Sequence, residues 1–227
     1  MVVSFGVVLA AAGMGKRMGS KEPKQFIQLD GKPILYHSVS VFHQIKEITE
    51  MIVVTSAEDI PRTQKILAEF PNVKVVAGGS ERQESVFRGL DALAHVDYVL
   101  IHDAARPFVS TDLIEMLMEQ VVLKGAVIPA VPVKDTIKIV DHQREVVSTP
   151  PRESLWAVQT PQAFRLSNVL AAHQQANKEN FLGTDDAMLM EWLGEKVFVV
   201  QGEYTNIKLT TPEDLHLGKT ILEGRRN

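Results

Sequence analysis

Residues 7–19 read VVLAAAGMGKRMG, and this stretch decides the fold that we predict. It begins as an apolar run long enough for a buried strand and ends in small residues and glycines, which let backbone N–H groups approach a ligand closely. Three cations follow, Lys16, Arg17 and, after a Lys-Glu-Pro break, Lys24. A strand that leads into a cationic glycine loop suits a polyphosphate, because the phosphate charge needs both main-chain donors and fixed positive side chains.

Two better-known phosphate-binding loops do not match this stretch. A P-loop requires Gly-x4-Gly-Lys followed by Ser or Thr, whereas Gly15-Lys16 is followed by Arg17 and the glycine spacing differs. A dinucleotide-binding turn requires Gly-x-Gly-x-x-Gly and an acidic residue after the second strand, whereas this chain has Gly13-x-Gly15-x-x-x-Gly19 and a second strand that ends in Thr-Ser. Taken alone, the stretch is also compatible with a basic surface turn that binds nothing.

The composition is that of an ordinary globular protein with one large domain. Of the 227 residues, 45% are hydrophobic and 23% are charged, and the formal net charge of -4 argues against general nucleic-acid binding. The absence of cysteine excludes structural disulfides and fits a reducing cytoplasm. No apolar run approaches the roughly 20 residues of a membrane span. We therefore expect a cytoplasmic protein without a membrane or nucleic-acid partner.

Apolar runs alternate with amphipathic segments, and this alternation predicts parallel strands joined by helices. The expected fold class is a single-domain α/β protein with a Rossmann-like, mostly parallel twisted sheet flanked by helices. After the first strand, we predict strands at Met51–Thr55, Val73–Ala77, Tyr98–Ile101 and Ala126–Val131. The predicted helices are Pro33–Gln44, Pro61–Phe70, a segment through Val86, Leu90 and Leu93, and Asp112–Leu123 with Ser110 or Thr111 as its cap.

The pattern changes after Pro132, where two short alternating strands, Thr136–Val140 and Glu145–Ser148, predict a β-hairpin. A projecting two-stranded arm is marginally stable alone and needs a partner surface. The hairpin is therefore either a dimerisation arm or an edge hairpin folded against its own domain. The later predicted elements are strands at Leu155–Val158, Val197–Val200 and Ile207–Leu209, and helices at Leu166–Asn177, at Asp185–Leu193 with Thr184 as its cap, and from Thr211 onward.

The candidate ligand-binding residues follow predicted strands. Ligands lie outside the carboxyl ends of the strands in a twisted parallel sheet, so these residues should meet at one edge. The first predicted strand is followed by small residues and cations, and the third is followed by a second glycine turn. The fourth is followed by a carboxylate and an arginine, and the late strands are followed by further polar groups. These candidates are Gly13, Gly15, Arg17, Lys24, Gly79, Arg82, Ser85, Asp103, Arg106, Thr160, Gln162, Asn206 and Lys208.

Asp103 is the most informative single residue of this set. A carboxylate at the end of a buried apolar strand is desolvated unless something pairs with it, and beside a polyphosphate the natural partner is Mg²⁺. The alternatives are a salt bridge to Arg106 or a helix cap. His102 can point the other way and is assigned a structural role, whereas Asp185 and Asp186 are interpreted as the start of a helix.

The expected reaction follows from the residue types that the chain offers. The sequence contains no convincing nucleophile–base pair but many cations. Attack by one phosphate on another phosphoryl centre needs cations and no base, because the attacking oxygen is already ionised at neutral pH. The protein then only has to neutralise charge and align the two groups. The residues therefore favour nucleotidyl transfer onto a phosphate over hydrolysis.

Six ordered motifs spread over nearly the whole chain carry a family resemblance. Residues 9–18 together with Pro23-Lys24-Gln25 resemble the signature of the sugar-phosphate nucleotidyltransferases. The chain is most similar to the methylerythritol phosphate cytidylyltransferases of the non-mevalonate isoprenoid pathway. The motifs that narrow the resemblance are Gly79-Ser80-Glu81-Arg82-Gln83-Glu84-Ser85-Val86, His102-Asp103-Ala104-Ala105-Arg106-Pro107, Val133-Lys134-Asp135-Thr136, Gln159-Thr160-Pro161-Gln162 and Thr205-Asn206-Ile207-Lys208.

This resemblance implies transfer of CMP from CTP to 2-C-methyl-D-erythritol 4-phosphate, with release of pyrophosphate and with Mg²⁺ as cofactor. The acceptor phosphate would attack the α-phosphate in line. Arg17 and Lys24 would contact the CTP phosphates and stabilise the transition state. Arg152 and Lys208 would position the acceptor, so that these four residues are the expected catalytic set.

The binding residues are likewise implied by the resemblance. Gly79, Arg82 and Ser85 would recognise the cytosine, and Asp103 would lie beside Mg²⁺. The full expected nucleotide site is Ala11, Ala12, Gly13, Gly15, Gly79, Arg82, Ser85, Asp103 and Ala104. The expected acceptor site is Arg106, Thr136 and Thr184.

The resemblance also implies how the chain is organised. Residues 1–227 would form one nucleotidyltransferase domain, with residues 134–156 as a β-arm insertion that embraces a second subunit in a homodimer. Thr136 and Arg152, which lie on that arm, would then serve either their own site or the site of the neighbour.

Two other functions stay open at this point. The ribitol-5-phosphate cytidylyltransferases would share the CTP half of the site, although Ala104-Ala105 stands where we expect Ser-Val in that group. A nucleotide-sensing protein without turnover is the alternative from another class. Arg17, Lys24 and Asp103 together argue against it.

Overall fold

The computed structural model describes residues 3–13 and 22–226, and its central element is an eight-stranded sheet. Two further sheets of two strands each lie apart from it. The strands are β1 Phe5–Ala10, β2 Gln28–Leu29, β3 Lys32–Pro33, β4 Ile48–Thr55, β5 Val73–Ala77, β6 Tyr98–Asp103, β7 Ala126–Pro132, β8 Ile139–Val140, β9 Val146–Ser148, β10 Trp156–Val158, β11 Gln162–Arg165 and β12 Phe198–Gln201.

The central sheet is mostly parallel, and the predicted α/β fold class is confirmed. Strands β7, β11, β6, β1, β4 and β5 lie side by side in that order, and β10 and β12 also pair with β7. Strand β1 runs parallel to both β4 and β6, and β4 runs parallel to β5. Strand β11 is antiparallel to both of its neighbours, β6 and β7.

Seven helices flank the sheet in the described part of the chain. Ser110 begins one of them as predicted, because its Oγ accepts a hydrogen bond from the N–H of Leu113 at 3.0 Å. Gly125 ends the same helix with φ 83°, a conformation that favours glycine. The helices are α1 Ile34–His43, α2 Ile60–Ile66, α3 Arg82–Asp91, α4 Thr111–Lys124, α5 Leu166–Glu179, α6 Asp186–Trp192 and α7 Pro212–Arg226.

The core lies on both faces of the sheet, because alternate side chains of a strand point to opposite faces. Val7 and Leu9 of β1 join one buried cluster with residues of α1 and α4, and Val8 joins the other with residues of α3, α5 and α6. Helix α3 packs closely against the sheet at Gly89, where an added Cβ would lie 2.5 Å from Cγ1 of Val8. Packing on both faces of the sheet supports the strand ends that carry the site.

Two predictions for the C-terminal third of the chain are wrong, namely the cap of α6 and the strand at Ile207–Leu209. Asp185, not Thr184, caps α6, because its Oδ1 accepts a hydrogen bond from the N–H of Met188 at 2.9 Å. The segment Ile207–Leu209 forms no strand. Its hydrogen bonds are isolated ones: the carbonyl of Asn206, just before it, accepts from Nη1 of Arg106 at 2.8 Å, and the N–H of Leu209 donates to the carbonyl of Ala105 at 2.8 Å.

Strand β11 was not predicted from the sequence. Its residues Gln162, Ala163 and Phe164 are all fully buried, so the alternation that reveals a half-exposed strand is absent. With only four residues behind Pro161, the segment resembles a loop in sequence. Hydrogen bonding to β6 on one side and β7 on the other makes it part of the sheet.

The predicted hairpin is present as the separate two-stranded sheet of β8 and β9. Its apolar side chains are exposed, with Ile139, Val140, Val146 and Val147 each at least half accessible. The role of residues 134–156 as a dimerisation arm stays a prediction. No helix in the described ranges is long and apolar enough to cross a membrane.

Candidate functional site

Strands β1 and β6 end side by side and form the floor of the site. Ala10 pairs with Asp103 in the parallel register of β1 and β6. Just beyond, the N–H of Ala104 donates to the carbonyl of Ala10 at 3.1 Å, and the N–H of Ala11 donates to the carbonyl of Val54 at 2.7 Å. The sheet therefore brings together the small residues after β1 and Asp103, the last residue of β6, as the sequence predicts.

A pocket of about 500 Å³ opens at this edge, and we call it the first pocket. Its floor consists of small side chains, which leave space for a ligand against the backbone. Its charged groups are three cations and one carboxylate, so that it favours an anion. The lining residues are Ala10, Ala11, Ala12, Gly13, Lys24, Gln25, Arg82, Asp103, Ala104, Ala105 and Lys208.

Asp103 is held between two cations rather than by the predicted alternative partner Arg106. Its Oδ1 lies 3.0 Å from Nε of Arg82, and its Oδ2 lies 2.6 Å from Nζ of Lys208. Burial by itself raises the pKa of the Asp103 carboxyl, but the charges of Arg82 and Lys208 outweigh it and hold the pKa well below its ordinary value. The carboxylate is ionised and fixes both cations.

A second pocket shares Arg82, Asp103 and Lys208 with the first, so that these three side chains stand between the two. It adds Arg106, whose Nε is buried without a hydrogen-bond partner among the described residues. Burial lowers the pKa of the Arg106 guanidinium, and the negative charge of Asp103 opposes that effect. The other lining residues are Val158, Gln159, Thr160, Gln162, Thr184 and Asp185.

Two of the sequence motifs serve to fix the loop that carries Lys208. Asn206 is fully buried, and its Nδ2 donates to the carbonyl of Thr160 at 2.9 Å. Gln159 ties down the preceding residues, because its Nε2 donates to the carbonyl of Glu203 at 2.7 Å. Thr160 also accepts a hydrogen bond from the backbone N–H of Asp103 at 3.0 Å. The same residues therefore position both members of the Lys208–Asp103 pair.

The second glycine turn lies against Ala12, just beyond the end of β1. The N–H of Gly79 donates to Oγ of Ser85 at 3.0 Å. An added Cβ on Gly78 would lie 2.7 Å from that hydroxyl and 2.9 Å from Cβ of Ala12, so glycine is required for this close approach. Ala12 lines the first pocket, so the turn lies next to that pocket, although neither Gly79 nor Ser85 lines it.

His102 has the structural role that was assigned to it. Its ring is fully buried, with Nε2 at 3.0 Å from the carbonyl of Arg106 and Nδ1 at 3.2 Å from Oγ1 of Thr160. Burial lowers the pKa of His102 to about 4, so the ring is neutral at pH 7. Neither pocket includes it.

The remaining predicted site residues fall into three groups. Thr184 lines the second pocket. Arg152 donates from Nη2 to Oγ1 of Thr136 at 3.0 Å, and both lie exposed beside the hairpin, outside the two pockets of their own chain. Gly15 and Arg17 lie outside the described residues.

Two buried residues were not identified as part of the site from the sequence. Asp186, interpreted as the start of a helix, is only 1% exposed and pairs with Arg82, Oδ2 to Nη2, at 2.9 Å. His173 of α5 lies behind it, with Nε2 at 3.2 Å from the other carboxylate oxygen. The available signal was Asp186 itself, because a carboxylate followed directly by buried apolar residues needs a partner.

The donor set of the first pocket fits Mg²⁺ that is bound mainly through a ligand. Asp103 is the only carboxylate among the described lining residues, and no cluster of three potential metal-binding side chains exists in the described ranges. Mg²⁺ commonly keeps several waters and binds through one or two carboxylates together with substrate phosphates. One carboxylate in a cationic pocket satisfies that requirement only when a polyphosphate is present.

The fold and the site together define a nucleotidyltransferase, and comparison with known proteins agrees. The family model described as IspD, 2-C-methyl-D-erythritol 4-phosphate cytidylyltransferase, matches residues 5–224. The chain therefore belongs to the 2-C-methyl-D-erythritol 4-phosphate cytidylyltransferase family. This membership confirms the family resemblance and the predicted class of activity, cytidylyl transfer.

Individual relatives span the whole chain. A 2-C-methyl-D-erythritol 4-phosphate cytidylyltransferase from Halalkalibacterium halodurans is 52% identical over 223 residues, covering 97% of both chains. One from Bacillus pumilus is 48% identical over 226 residues, covering 98% of both. The crystal structure of 4-diphosphocytidyl-2C-methyl-D-erythritol synthase from Anaerococcus prevotii superposes with a TM-score of 0.88 at 36% identity, covering 97% of this chain and 96% of that one.

Proposed function

We propose that the chain transfers CMP from CTP to 2-C-methyl-D-erythritol 4-phosphate and releases pyrophosphate. The observation that carries the proposal is the triad of Arg82, Asp103 and Lys208, which separates two cationic pockets. A donor nucleotide in the first pocket and a phosphorylated acceptor in the second would meet at these three side chains. Family membership supplies the identities of the two substrates.

The reaction needs no general base. A phosphate monoester carries a charge of about −1.5 to −2 at pH 7, so an acceptor oxygen attacks the α-phosphorus without losing a proton. The new bond joins that oxygen to the α-phosphorus, and the bond from the α-phosphorus to the bridging oxygen breaks in line with it. Pyrophosphate leaves with the electron pair. The tasks of the protein are alignment and neutralisation of charge.

Individual side chains divide these tasks. Lys24, which lines the first pocket, and Arg17 would bind the triphosphate and stabilise negative charge that develops on the leaving group. Lys208 stands between the pockets and would contact the acceptor phosphate and the α-phosphate. Arg106, with no carboxylate salt bridge of its own among the described residues, adds positive charge where the acceptor would bind.

Mg²⁺ would be held by Asp103 together with phosphate oxygens of CTP, and when bound it would neutralise phosphate charge as a Lewis acid. The two existing ion pairs of Asp103 keep the carboxylate charged and oriented for this role. Arg82, Gly79 and Ser85 would read the cytosine, and Ala11, Ala12, Gly13 and Ala104 would pack against the nucleotide.

We further propose a homodimer formed through the arm. Arg152 and Thr136 contact each other, and the neighbouring hairpin exposes the apolar side chains of Ile139, Val140, Val146 and Val147. A second copy of the chain would cover these side chains and would receive Arg152 and Thr136 at its own second pocket. A cytoplasmic location remains an expectation from the composition.

Release of pyrophosphate from CTP tests the proposed activity. The purified chain with Mg²⁺ should release pyrophosphate only when CTP and 2-C-methyl-D-erythritol 4-phosphate are both present, and ATP, GTP or UTP should replace CTP poorly. A preference for ribitol 5-phosphate would indicate the other cytidylyltransferase class. Binding of CTP without any turnover would indicate a nucleotide sensor.

A further inference from the structure

A second carboxylate, Asp186, lies behind the triad and is the most deeply buried charge in the described part of the site. Its side chain is 1% exposed, yet it is ionised. Burial by itself raises the pKa of Asp186, but the charge of Arg82 and the hydrogen bond from His173 lower it below its ordinary value. Burying such a charge destabilises the fold unless each carboxylate oxygen has a partner. Here both oxygens of Asp186 have one.

Asp186 and Asp103 together hold two different nitrogens of one guanidinium. Nε of Arg82 donates to Asp103 at 3.0 Å, and Nη2 donates to Asp186 at 2.9 Å. Among the described residues, Nη1 has no hydrogen-bond partner, and the side chain of Arg82 is 31% exposed and lines both pockets. Because two of its nitrogens are bound to carboxylates on different elements, the plane of the guanidinium is fixed and its remaining donors have one orientation.

His173 fixes Asp186 in turn. The imidazole is fully buried on α5, and its Nε2 must donate, because the ionised carboxylate of Asp186 only accepts. Its Nδ1 has no partner among the described residues. His173 therefore holds Oδ1 of Asp186 through the N–H at its Nε2.

The backbone that carries Asp186 is anchored independently of the ion pairs. Gln162 of β11 donates from Nε2 to Oδ2 of Asp185 at 2.8 Å and accepts from the N–H of Ala187 at 3.0 Å. Gln83 of α3 bonds the loop before α6 at the carbonyl of Phe181 and at the N–H of Gly183. Movement of α6 as a whole would therefore break contacts to both the sheet and α3.

We propose that Asp186, supported by His173, is a positioning residue that holds the Arg82 guanidinium facing the nucleotide. This inference rests on the proposed function, because it assigns Arg82 to the binding of CTP. Asp186 acts through Arg82 and does not touch the reacting atoms. A purely structural ion pair is the alternative, and the following experiment distinguishes the two.

The test is a double-mutant cycle on the Michaelis constant for CTP. Asp186→Asn keeps the shape of the side chain and removes its charge, so Arg82 loses one of its two anchors. We expect the KM for CTP to rise on the order of tenfold, with a small change in the KM for the acceptor. In an Arg82→Ala background, the same substitution should add nothing further to the KM for CTP, because its target is gone.

Thermal melting of the same four proteins separates positioning from stability. Arg82→Ala alone leaves Asp186 buried without its cation and should lower Tm, and adding Asp186→Asn should recover part of that loss. A structural role would appear as a lower Tm for Asp186→Asn with an unchanged KM for CTP, or as a further rise of KM in the double variant. Either result overturns the proposal.

If Asp186→Asn does not fold, two milder substitutions at His173 test the same proposal. His173→Phe removes the donor behind Asp186 and should raise the KM for CTP a few-fold, whereas His173→Gln retains a donor and should restore most of it. Equal KM values for the two variants would contradict the proposal. The wild-type chain reports on the proposed function separately, since absence of binding and of turnover with CTP would overturn both proposals.

Discussion

At the scale of single residues, the site depends on cations that outnumber the carboxylates available to neutralise them. Asp103 is shared between Arg82 and Lys208, and Asp186 pairs with a second nitrogen of Arg82. Pairing fixes these cations without removing the positive character of the pockets, because Arg106 makes its hydrogen bond to a carbonyl. A triphosphate would complete the neutralisation.

Removal of Lys24 should reduce turnover far more than nucleotide binding. The ammonium of Lys24 is expected to stabilise charge that develops as pyrophosphate leaves, and loss of one such group typically lowers kcat by about 10²–10³-fold. We expect Lys24→Ala to show this loss with little change in the dissociation constant of CTP. Lys32→Ala, which removes an exposed lysine beside Glu69, is the matched control. An unchanged kcat for Lys24→Ala would argue against the assigned role.

The buried His102 should make the protein less stable in mild acid. Its pKa is lowered to about 4, whereas an unfolded histidine titrates near 6.5, so between these values only the unfolded chain binds the proton. The free energy of unfolding should therefore fall as pH decreases from about 6.5 to 4, by about 3 kcal/mol at most from this group. Below about pH 4, protonation of carboxylates with lowered pKa, such as Asp103, adds a separate loss.

Denaturant titrations at several pH values measure this effect. His102→Gln cannot titrate, and its free energy of unfolding should depend less on pH between 4 and 6.5 than that of the wild type. His142→Gln, at an exposed position in the hairpin, should follow the wild-type dependence. A wild-type slope in His102→Gln would show that another group dominates the window.

Most of the charged residues of the site could be recognised from the sequence, but their partners could not. Asp103 was identifiable because it ends a buried apolar strand, whereas its pairing with Lys208 spans more than a hundred residues and depends on the loop that Asn206 anchors. Asp186 follows a helix cap and matches an ordinary helix start. Only the three-dimensional structure shows that it faces Arg82, the first residue of α3.

At the scale of elements, strands and helices with a regular hydrophobic periodicity were predicted well. A strand that is buried on both faces was not recognised. Strand β5 has the predicted bounds, Val73–Ala77, and α4 begins at the predicted Ser110 cap. Strand β11 is buried on both faces and gave no alternating pattern. The segment Ile207–Leu209 has β-branched and apolar residues but follows Asn206, which is held by irregular hydrogen bonds to Arg106 and Thr160 that a propensity argument does not detect.

The hairpin should be necessary for dimerisation if it is an arm. Val147 is 65% exposed, and a charge at this position would be buried without a partner in the proposed dimer interface. We expect Val147→Lys to shift the chain towards the monomer in sedimentation velocity measurements. Leu123→Lys changes a residue of α4 that is 77% exposed and should leave the oligomeric state unchanged. Identical sedimentation of wild type and Val147→Lys would contradict the arm proposal.

At the scale of the whole molecule, the two pockets of one chain lack Arg152 and Thr136. If a second subunit supplies them, each active site contains Lys24 of one chain and Arg152 of the other. The dimer is then required for activity, and variants in different chains can complement each other.

Mixing two impaired variants, assayed at an acceptor concentration well below the raised KM of Arg152→Ala, tests this arrangement. Lys24→Ala and Arg152→Ala homodimers should each be impaired, the latter through a raised KM for the acceptor. After joint refolding of equal amounts, half of the dimers should be mixed and one of the two sites in each should be intact, giving about a quarter of the wild-type activity. No recovery in verified mixed dimers would mean that each site uses residues of a single chain.

The central claim is that a triphosphate binds in the first pocket while the acceptor approaches across the triad. A crystal structure of the chain with CTP and Mg²⁺ measures this most directly. We predict the triphosphate against Gly13 and Lys24, the cytosine beside Gly79 and Ser85, and Lys208 facing the α-phosphate. A nucleotide bound elsewhere, with Lys24 directed into bulk solvent, would contradict the account.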